Sequence, residues 1–303
     1  MRADDFVKIL SHNFHGRDDV RIETHSVAYS KMRNGKRRSN DQIFYPFPKI
    51  VSADIKPHDE IILIRAGIHG EEIAGPLTIL DHINEIIDYI HGSGLKLILY
   101  PLGNPSGFEN GLRYNIDGDV GQGGNNDFLR YELSDGRIVD ELLEGDDFVR
   151  WYWSSDKRLL ITLPAETQLM HKLLRQDPQK QISACIDLHQ DYYMNEAKPA
   201  AYHYAFGDLE RYNSIVSAIE RIVPLLKHHV VASGYRSGLG GESDARGFIV
   251  RHDGTLTDLF CRFGTRHCIT VETIGATLLD VAKEVNLIWI FGIADILKNE
   301  RNV

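Results

Sequence analysis

The sequence predicts an α/β fold in one domain, and three segments in its first third carry that prediction. Residues 61–66 form a short, β-branched apolar run that ends at Gly67, which is typical of a buried strand. From Pro76 to Ile90 the apolar residues recur at helical spacing, and residues 95–101 form a second short apolar run. A strand, a helix and a strand in this order make a βαβ unit, which predicts parallel strands joined by a right-handed crossover.

The segment before this unit is predicted to contain a short helix and two strands. The helix covers residues 4–10, and the strands cover 21–30 and 42–55. Between the strands lies a basic segment around Asn34-Gly35, a dipeptide that favours a tight hairpin turn. We interpret its charges as those of a solvated loop.

Strand and helix patterns continue toward the C-terminus. Further helices are predicted over residues 164–174, 209–226, 255–263 and 278–297, and further strands over 181–189, 200–206 and 266–272. The polar, glycine-rich segment 103–126 is long enough to predict a binding surface or a lid. No strand or helix is predicted over 131–162, which is acidic and aromatic. The chain shows no repeat and no linker, so one domain over 1–303 is expected.

The composition is that of an ordinary soluble protein, and it narrows the classes of function. Hydrophobic residues make up 43% of the 303 positions and charged residues 25%. The 34 Lys and Arg residues against 43 Asp and Glu residues give a formal charge of −9, which argues against nucleic-acid or anionic-membrane binding. The three cysteines lack Cys-x-x-Cys spacing and predict no disulfide framework. Because the sequence shows neither a signal peptide nor a membrane-spanning stretch, we expect a reduced, cytoplasmic protein.

Three of the predicted strands end in side chains that suit a metal ion. His69 and Glu72 follow the first strand, His189 ends another, and Glu272 ends the last. Ligands of open α/β sheets bind beyond the carboxyl ends of the strands, so these side chains are expected to meet there. Two His and one Glu form a catalytic zinc set, and a second glutamate is then required as general base. Taken alone, the His-x-x-Glu pattern also fits an ordinary polar turn.

The same residues lie within motifs that resemble a known family. In chain order the motifs are His69-Gly-Glu-Glu72 after a strand, Asn104-Pro-Ser-Gly107, Arg113-Tyr-Asn-Ile-Asp-Gly118, Asp187-Leu-His189 and Val271-Glu272. Their order and spacing resemble those of zinc carboxypeptidases of the carboxypeptidase A type, whose superfamily includes succinylglutamate desuccinylase and aspartoacylase. The resemblance covers residues 60–298.

This resemblance implies a fold, a metal ion and a role for each residue. The implied fold is a mixed, mostly parallel, twisted sheet with helices on both faces, with a catalytic core over 59–298 after the strands and hairpin of 1–58. One zinc ion is implied, and its ligands are His69, Glu72 and His189. By the same resemblance, Glu272 is the general base, and Arg113 polarises the scissile carbonyl and holds its oxyanion.

The implied activity is that of a metallopeptidase of carboxypeptidase type, which hydrolyses an amide bond next to a free carboxylate through a metal-bound water activated by a glutamate. Peptides or N-acyl amino acids are the expected substrates, and neither a nucleic acid nor a membrane is an expected partner. An N-acyl amino acid deacylase that uses the same site is the first alternative. A zinc-binding protein without turnover is the second.

The expected carboxylate-binding motif departs from the family pattern. The carboxypeptidases carry Asp-x-Asn-Arg, whose Asn and Arg clamp the terminal carboxylate, whereas this chain has Asp127-Phe-Leu-Arg130. We expect Arg130 and Asn115 to bind substrate, and Asn125 or Asn126 to replace the missing amide.

Two residues share a strand face with His189, because side chains alternate along a strand. Asp187 is placed either to accept a hydrogen bond from this histidine or to cap a neighbouring backbone group. Cys185 is interpreted as a core residue rather than as a fourth metal ligand.

Overall fold

Strands and helices are interspersed along the chain, which the computed structural model describes over residues 1–33, 36–116, 129–139, 146, 148–153, 164–192, 198–231, 241–251 and 255–301. Within these ranges, the side chains of residues 30–33, 36–41, 129–130, 151–153 and 231 are outside the description. The strands are β1 (Val20–Arg33), β2 (Lys36–Ser52), β3 (Ile61–Ala66), β4 (Lys96–Tyr100), β5 (Leu129–Leu133), β6 (Ile138–Val139), β7 (Phe148–Trp153), β8 (Ile182–Asp191), β9 (Ala201–Ala205), β10 (Val230–Val231), β11 (Gly241–Glu242), β12 (Phe248–Ile249) and β13 (His267–Ile274). The helices are α1 (Ala3–Asn13), α2 (Ala74–Gly92), α3 (Pro105–Asn110), α4 (Ala165–Gln176), α5 (Asn213–Glu220), α6 (Leu256–Arg262) and α7 (Leu279–Glu300), with 3-10 turns at Gln179–Gln181 and Leu209–Tyr212.

An eight-stranded mixed sheet, in the order β1-β2-β4-β3-β8-β13-β9-β12, forms the centre of the molecule. The pairs β4/β3, β3/β8, β8/β13 and β9/β12 are parallel, whereas β1/β2, β2/β4 and β13/β9 are antiparallel. The predicted βαβ unit is confirmed, since β3 and β4 are parallel and α2 connects them. The predicted α/β fold with a mixed, mostly parallel sheet is therefore confirmed.

Alternating side chains of the central strands enter two different hydrophobic clusters. Ile62 and Ile64 of β3 pack in the larger cluster with α2 and α7, where Trp289 is fully buried. Leu63 of β3 points to the opposite face and packs in a second cluster with α4 and α6. Because both faces of the sheet are covered, β3 is buried at every position and reads as a continuous apolar run rather than as an alternating one.

The N-terminal hairpin extends this sheet instead of forming a separate layer. β1 and β2 are antiparallel over most of their length, and Ile50 and Val51 of β2 pair with β4. The predicted turn at Asn34-Gly35 lies outside the described residues. The division of the chain into residues 1–58 and a core over 59–298 stays a prediction.

Several segments differ from the sequence prediction, among them the two-residue strands β10, β11 and β12, where no strand is predicted. The helix expected over 209–226 is a 3-10 turn followed by α5, which ends at Glu220. Pro224 follows, and proline cannot donate the hydrogen bond that a continuing helix needs. The strands β5, β6 and β7 form a small antiparallel sheet within and just before the region 131–162, and α3 lies in the polar segment 103–126. Short strands and a six-residue helix bury too few side chains to give a recognisable hydrophobic period in the sequence.

None of the described helices combines the length and hydropathy needed to cross a membrane.

Candidate metal centre

A tight turn after β3 carries the first two candidate ligands. Gly67 has a φ of +65°, a conformation that glycine adopts without steric cost. The amide of Glu72 then donates to the carbonyl of His69 at 3.2 Å, and α2 begins two residues later at Ala74. A strand and a helix anchor the two ends of this turn, which fixes the positions of His69 and Glu72. Both side chains are almost fully buried.

The sheet brings the other two residues to the same place. β8 lies between β3 and β13 and is parallel to both. In the register of β8 and β13, His189 is directly opposite Glu272, and both lie near the C-terminal ends of their strands. Four side chains from three parallel strands therefore converge at the carboxyl edge of the sheet, as expected for ligand sites in such sheets.

The side chains of His69, Glu72 and His189 offer three ligand atoms that all lie within 4.8 Å of one another. Nδ1 of His69 is 2.6 Å from Oε1 of Glu72, and Nδ1 of His189 is 2.9 Å from Oε2 of the same carboxylate. The centroids of the two imidazole rings are 4.9 Å apart with the ring planes inclined at 68°, and both rings have Nδ1 against the Glu72 carboxylate. Two imidazoles and one carboxylate, buried and convergent, suit a divalent metal ion.

The charges around this cluster favour a cation at its centre. Burial by itself raises the pKa of Glu72, but the imidazoles of His69 and His189 hold that pKa well below its usual range. Burial lowers the pKa of His189, but surrounding carboxylates, led by Asp187 and Glu72, raise it well above its usual range. The carboxylates of Asp187, Glu72 and Glu272 therefore surround His189 with negative charge, which favours a cation in this buried place.

Glu272 lies beside the cluster without being part of it. Its Oε1 atom is 4.0 Å from Nδ1 of His189, while its Oε2 atom has no hydrogen-bond partner among the residues that the structure describes. Burial raises the pKa of Glu272 well above its usual range; Glu72 adds to that rise, and His189 opposes it. A carboxyl group with a raised pKa and an available oxygen is suited to accept and return a proton.

Arg113 reaches the cluster from the segment after α3. Its Nη1 atom donates to Oε1 of Glu72 at 2.8 Å and lies 3.6 Å from Oε1 of Glu71. Its backbone carbonyl accepts hydrogen bonds from the amide of Gly70 and from the side-chain amide of Asn104, each at 3.0 Å. The turn that carries the candidate ligands is therefore hydrogen-bonded directly to the segment that carries Arg113.

Comparison with solved structures shows the same overall architecture in peptidases. A candidate metallopeptidase from Shewanella amazonensis is 20% identical, with a TM-score of 0.59 over 96% of this chain and 90% of that one. Bovine thrombin-activatable fibrinolysis inhibitor is 14% identical, with a TM-score of 0.57 over 99% and 98% of the two chains. A metallo-carboxypeptidase from Burkholderia cenocepacia is 9% identical, with a TM-score of 0.55 over 98% and 69%.

The chain has a carboxypeptidase-like fold. No family model matches the sequence, and neither does any curated protein. The likeness therefore lies in the backbone, and it agrees with the family that the sequence motifs resemble.

Of the predicted substrate residues in this carboxypeptidase-like fold, only Asn115 has a described side chain. Its amide nitrogen donates to Oδ1 of Asn104 at 3.0 Å, so it is buried next to the segment that supports Arg113. Asn125 and Asn126 lie outside the described residues. Arg130 lies in β5, where it is paired with the backbone of Tyr152, but its side chain is outside the description. The substrate-binding roles of these residues stay predictions.

The carboxypeptidase-like fold also shows residues around the site that the sequence did not single out. Asn104, which the sequence showed only as part of a motif, accepts a hydrogen bond from the side-chain amide of Asn115 and donates one to the backbone carbonyl of Arg113. The backbone amide of Gln190 donates to Oε2 of Glu72 at 3.1 Å. Arg65 is fully buried in β3. A charged residue inside an otherwise apolar strand is unusual, and this feature of the sequence could have pointed to Arg65.

Two smaller predictions have a structural answer. Oδ2 of Asp187 lies 3.2 Å from Nε2 of His189, which is the contact with this histidine that its strand position suggested. Cys185 is fully buried in the second hydrophobic cluster, as expected of a core residue. Burial raises the pKa of its thiol well above the usual range, which opposes the thiolate form that a metal would require.

Proposed function

We propose that the protein is a zinc-dependent metallopeptidase of carboxypeptidase type, which hydrolyses an amide bond next to a free carboxylate. The observation that carries this proposal is the convergence of His69, Glu72 and His189, with Glu272 and Arg113 at its edge. The carboxypeptidase-like fold supports the same class of reaction. The family resemblance in the sequence supports the same roles for these residues.

Zinc is the metal that we propose because of the donor set. Two histidine nitrogens and one glutamate oxygen leave a tetrahedral ion one open position, which is the usual composition of catalytic zinc sites. When bound, zinc supplies a Lewis acid that polarises a carbonyl and lowers the pKa of water toward neutrality. In this site Glu72 is the anionic ligand, and His69 and His189 are the neutral ligands.

Glu272 transfers the proton, and Arg113 stabilises the negative charge that develops on the substrate. Glu272 accepts a proton at its available oxygen as water attacks the substrate carbonyl, and it returns the proton to the leaving amine nitrogen. Arg113 donates hydrogen bonds to the carbonyl oxygen as negative charge develops there. Hydrogen bonds from Gly70 and Asn104 hold the backbone carbonyl of Arg113, and the hydrogen bond from its Nη1 atom to Glu72 keeps the guanidinium at the edge of the cluster.

We assign recognition of the substrate's free carboxylate to Arg130, with Asn115 and Asn126 as further contacts. A guanidinium binds a carboxylate through two parallel hydrogen bonds, and a lysine ammonium cannot reproduce that geometry. Esterifying or amidating the substrate's terminal carboxylate should therefore abolish cleavage. The same blocked substrate should lose little more with Arg130→Ala, since the contact is already absent.

The decisive experiment is a turnover screen of zinc-loaded protein on two substrate classes, peptides with free C-termini and N-acyl amino acids. Release of the C-terminal residue from peptides supports the carboxypeptidase. Turnover of N-acyl amino acids alone would identify the deacylase that the superfamily also contains. Full zinc occupancy with neither activity would overturn the enzyme proposal. Equal cleavage of free and blocked peptides would remove Arg130 as the carboxylate ligand.

A further inference from the structure

A buried ion pair lies directly behind the candidate metal centre. Arg65 of β3 and Asp187 of β8 are register partners on neighbouring parallel strands. Nε of Arg65 donates to Oδ1 of Asp187 at 2.9 Å, and its Nη2 donates to Oδ2 of the same carboxylate. Their side chains are 0% and 1% exposed, so the fork of two hydrogen bonds is formed out of contact with solvent.

The ion pair continues into one of the candidate metal ligands. Oδ2 of Asp187 lies 3.2 Å from Nε2 of His189. On the opposite edge of the same ring, Nδ1 lies 2.9 Å from Oε2 of Glu72, at the centre of the cluster. Arg65, Asp187 and His189 therefore form a chain of contacts that ends at the metal-facing nitrogen.

With a metal at Nδ1, this geometry leaves one tautomer of His189. Both ring nitrogens face a carboxylate, Nδ1 that of Glu72 and Nε2 that of Asp187, and an ionised carboxylate only accepts hydrogen bonds. Once a metal takes the lone pair of Nδ1, the single N–H of the neutral ring is at Nε2 and faces Asp187. The fork from Arg65 in turn fixes the orientation of the Asp187 carboxylate, because both of its oxygens are engaged.

The position of the pair argues against a purely structural role. One row earlier on the same sheet face, the register partners are Leu63, Cys185 and Cys268, all buried and packed together. An apolar pair therefore fits this face of the sheet. Buried ion pairs are often no more stabilising than apolar pairs of similar volume, so stability alone gives little reason for a charged pair here.

We propose that Arg65 is a positioning residue for the metal centre, acting through Asp187 to hold His189 in its metal-binding tautomer and orientation. This inference rests on the proposed metal site, but it goes beyond it in assigning a role to a residue that touches neither metal nor substrate. Loss of such supporting contacts typically weakens metal binding about 10- to 100-fold.

The test measures zinc affinity by competition with a chromophoric chelator, without any use of activity. The variants are Arg65→Met, Asp187→Leu and the double variant, which replaces the ion pair with apolar side chains. We expect the double variant to keep a thermal midpoint close to that of the wild type and to bind zinc about 10- to 100-fold more weakly. Since Arg65 acts through Asp187, Arg65→Met should weaken binding in the native background and add nothing to Asp187→Leu.

A second buried ion pair provides the matched control. Lys49 and Asp177 form a buried pair in which Asp177 also accepts a hydrogen bond from Tyr100, and the described contacts of this pair include none of the three candidate ligands. The double variant Lys49→Met with Asp177→Leu should bind zinc with wild-type affinity, whatever happens to its stability. A zinc affinity equal to wild type in Arg65→Met with Asp187→Leu would overturn the inference and leave the proposed function intact. Failure of the wild type itself to bind zinc would overturn the proposed function.

Discussion

Glu272 and Glu166 are both buried carboxylic acids with a raised pKa, yet only Glu272 lies beside the candidate metal ligands. Glu166 lies in the first turn of α4 and accepts a hydrogen bond from the amide of Ser106 at 3.2 Å. Burial raises the pKa of Glu166 to about 8. At the scale of single residues, a perturbed pKa therefore does not distinguish catalysis from structure, whereas the position relative to His189 does.

Glu272→Gln should retain zinc and lose turnover. The amide preserves the shape of the side chain but cannot accept the proton, and general acid–base catalysis contributes roughly a hundred- to ten-thousand-fold. The measurements are kcat on a C-terminal peptide and zinc content by elemental analysis. Glu166→Gln is the matched control, because it makes the same substitution at a buried acid whose described partner is the amide of Ser106 and not a candidate ligand, and it should keep kcat. Equal rates for Glu272→Gln and wild type would assign the proton transfer to another group.

Glu166 should make the stability of the protein depend on pH. Between its ordinary value of 4.5 and its folded value of about 8, the folded state holds a proton that the unfolded chain has released. Stability from this group is therefore present at low pH and is lost as pH rises through the folded pKa, by up to about 1.4 kcal/mol per pH unit. Urea unfolding from pH 5.5 to 8 should show wild type losing about 3 kcal/mol relative to Glu166→Gln. Parallel pH curves for the two proteins would contradict this assignment.

At the scale of elements, the turn after β3 and the short helix α3 work as one unit. The amide of Gly70 donates to the carbonyl of Arg113, and Asn104 caps α3 by accepting from the amide of Gly107. A Cβ atom added at Gly70 would lie 2.1 Å from the carbonyl carbon of Gly107 and 2.3 Å from the backbone nitrogen of Phe108. The backbones of the two elements are therefore in contact at a point where only glycine fits.

Gly70→Ala should separate these two elements. Backbone atoms cannot yield as a flexible side chain does, so we expect a loss of about 1–3 kcal/mol in unfolding free energy. Zinc binding should weaken as well, because the same turn carries His69 and Glu72. Urea unfolding and chelator competition measure the two effects.

Gly92→Ala is the control for this substitution. Gly92 ends α2 with an ordinary φ, and a Cβ atom there would meet no described atom within 4 Å. Its stability should equal or slightly exceed that of the wild type, since alanine favours the helix. A Gly70→Ala protein as stable as Gly92→Ala would show that the contact between the turn and α3 is loose.

At the scale of the whole molecule, the candidate metal centre joins parts of the chain that are distant in sequence. Glu72 and His189 are 117 positions apart, and β13 adds Glu272 beside them from near the C-terminus. A metal ion bound by His69, Glu72 and His189 in the folded state, and not in the unfolded chain, would stabilise the whole fold.

Removing zinc should therefore lower the thermal midpoint of the whole protein. Zinc at a hundred times its dissociation constant contributes about 2.7 kcal/mol, which corresponds to a shift of roughly 4 to 8 °C for a chain of this size. The shift, measured by calorimetry with and without chelator, should vanish in His69→Ala with His189→Ala. It should persist in His12→Ala with His58→Ala, two exposed histidines outside the site. An equal shift in both double variants would place zinc binding elsewhere.

Most of the fold could be predicted because its signals are local in the chain. The apolar runs at β3, β4, β8 and β13 and the helical period of α2 and α7 depend on residues a few positions apart. The same holds for His69 and Glu72, since one turn carries both. The helix predicted over 209–226 is longer than the observed α5, and the strands β5 to β7 and β10 to β12 are not predicted, because short elements leave too few residues for a clear hydrophobic period.

The sequence by itself determined the fold class, the elements around the sheet and the four residues proposed for metal binding and proton transfer. Only the tertiary structure decided which strands are neighbours, and with that the pairing of Arg65 with Asp187 across 122 positions. The physical reason is that alternation along a strand assigns each side chain to a face, whereas its partner is set by strand order and register. Strand order and register depend on the packing of the whole sheet, and no local sequence pattern contains that information.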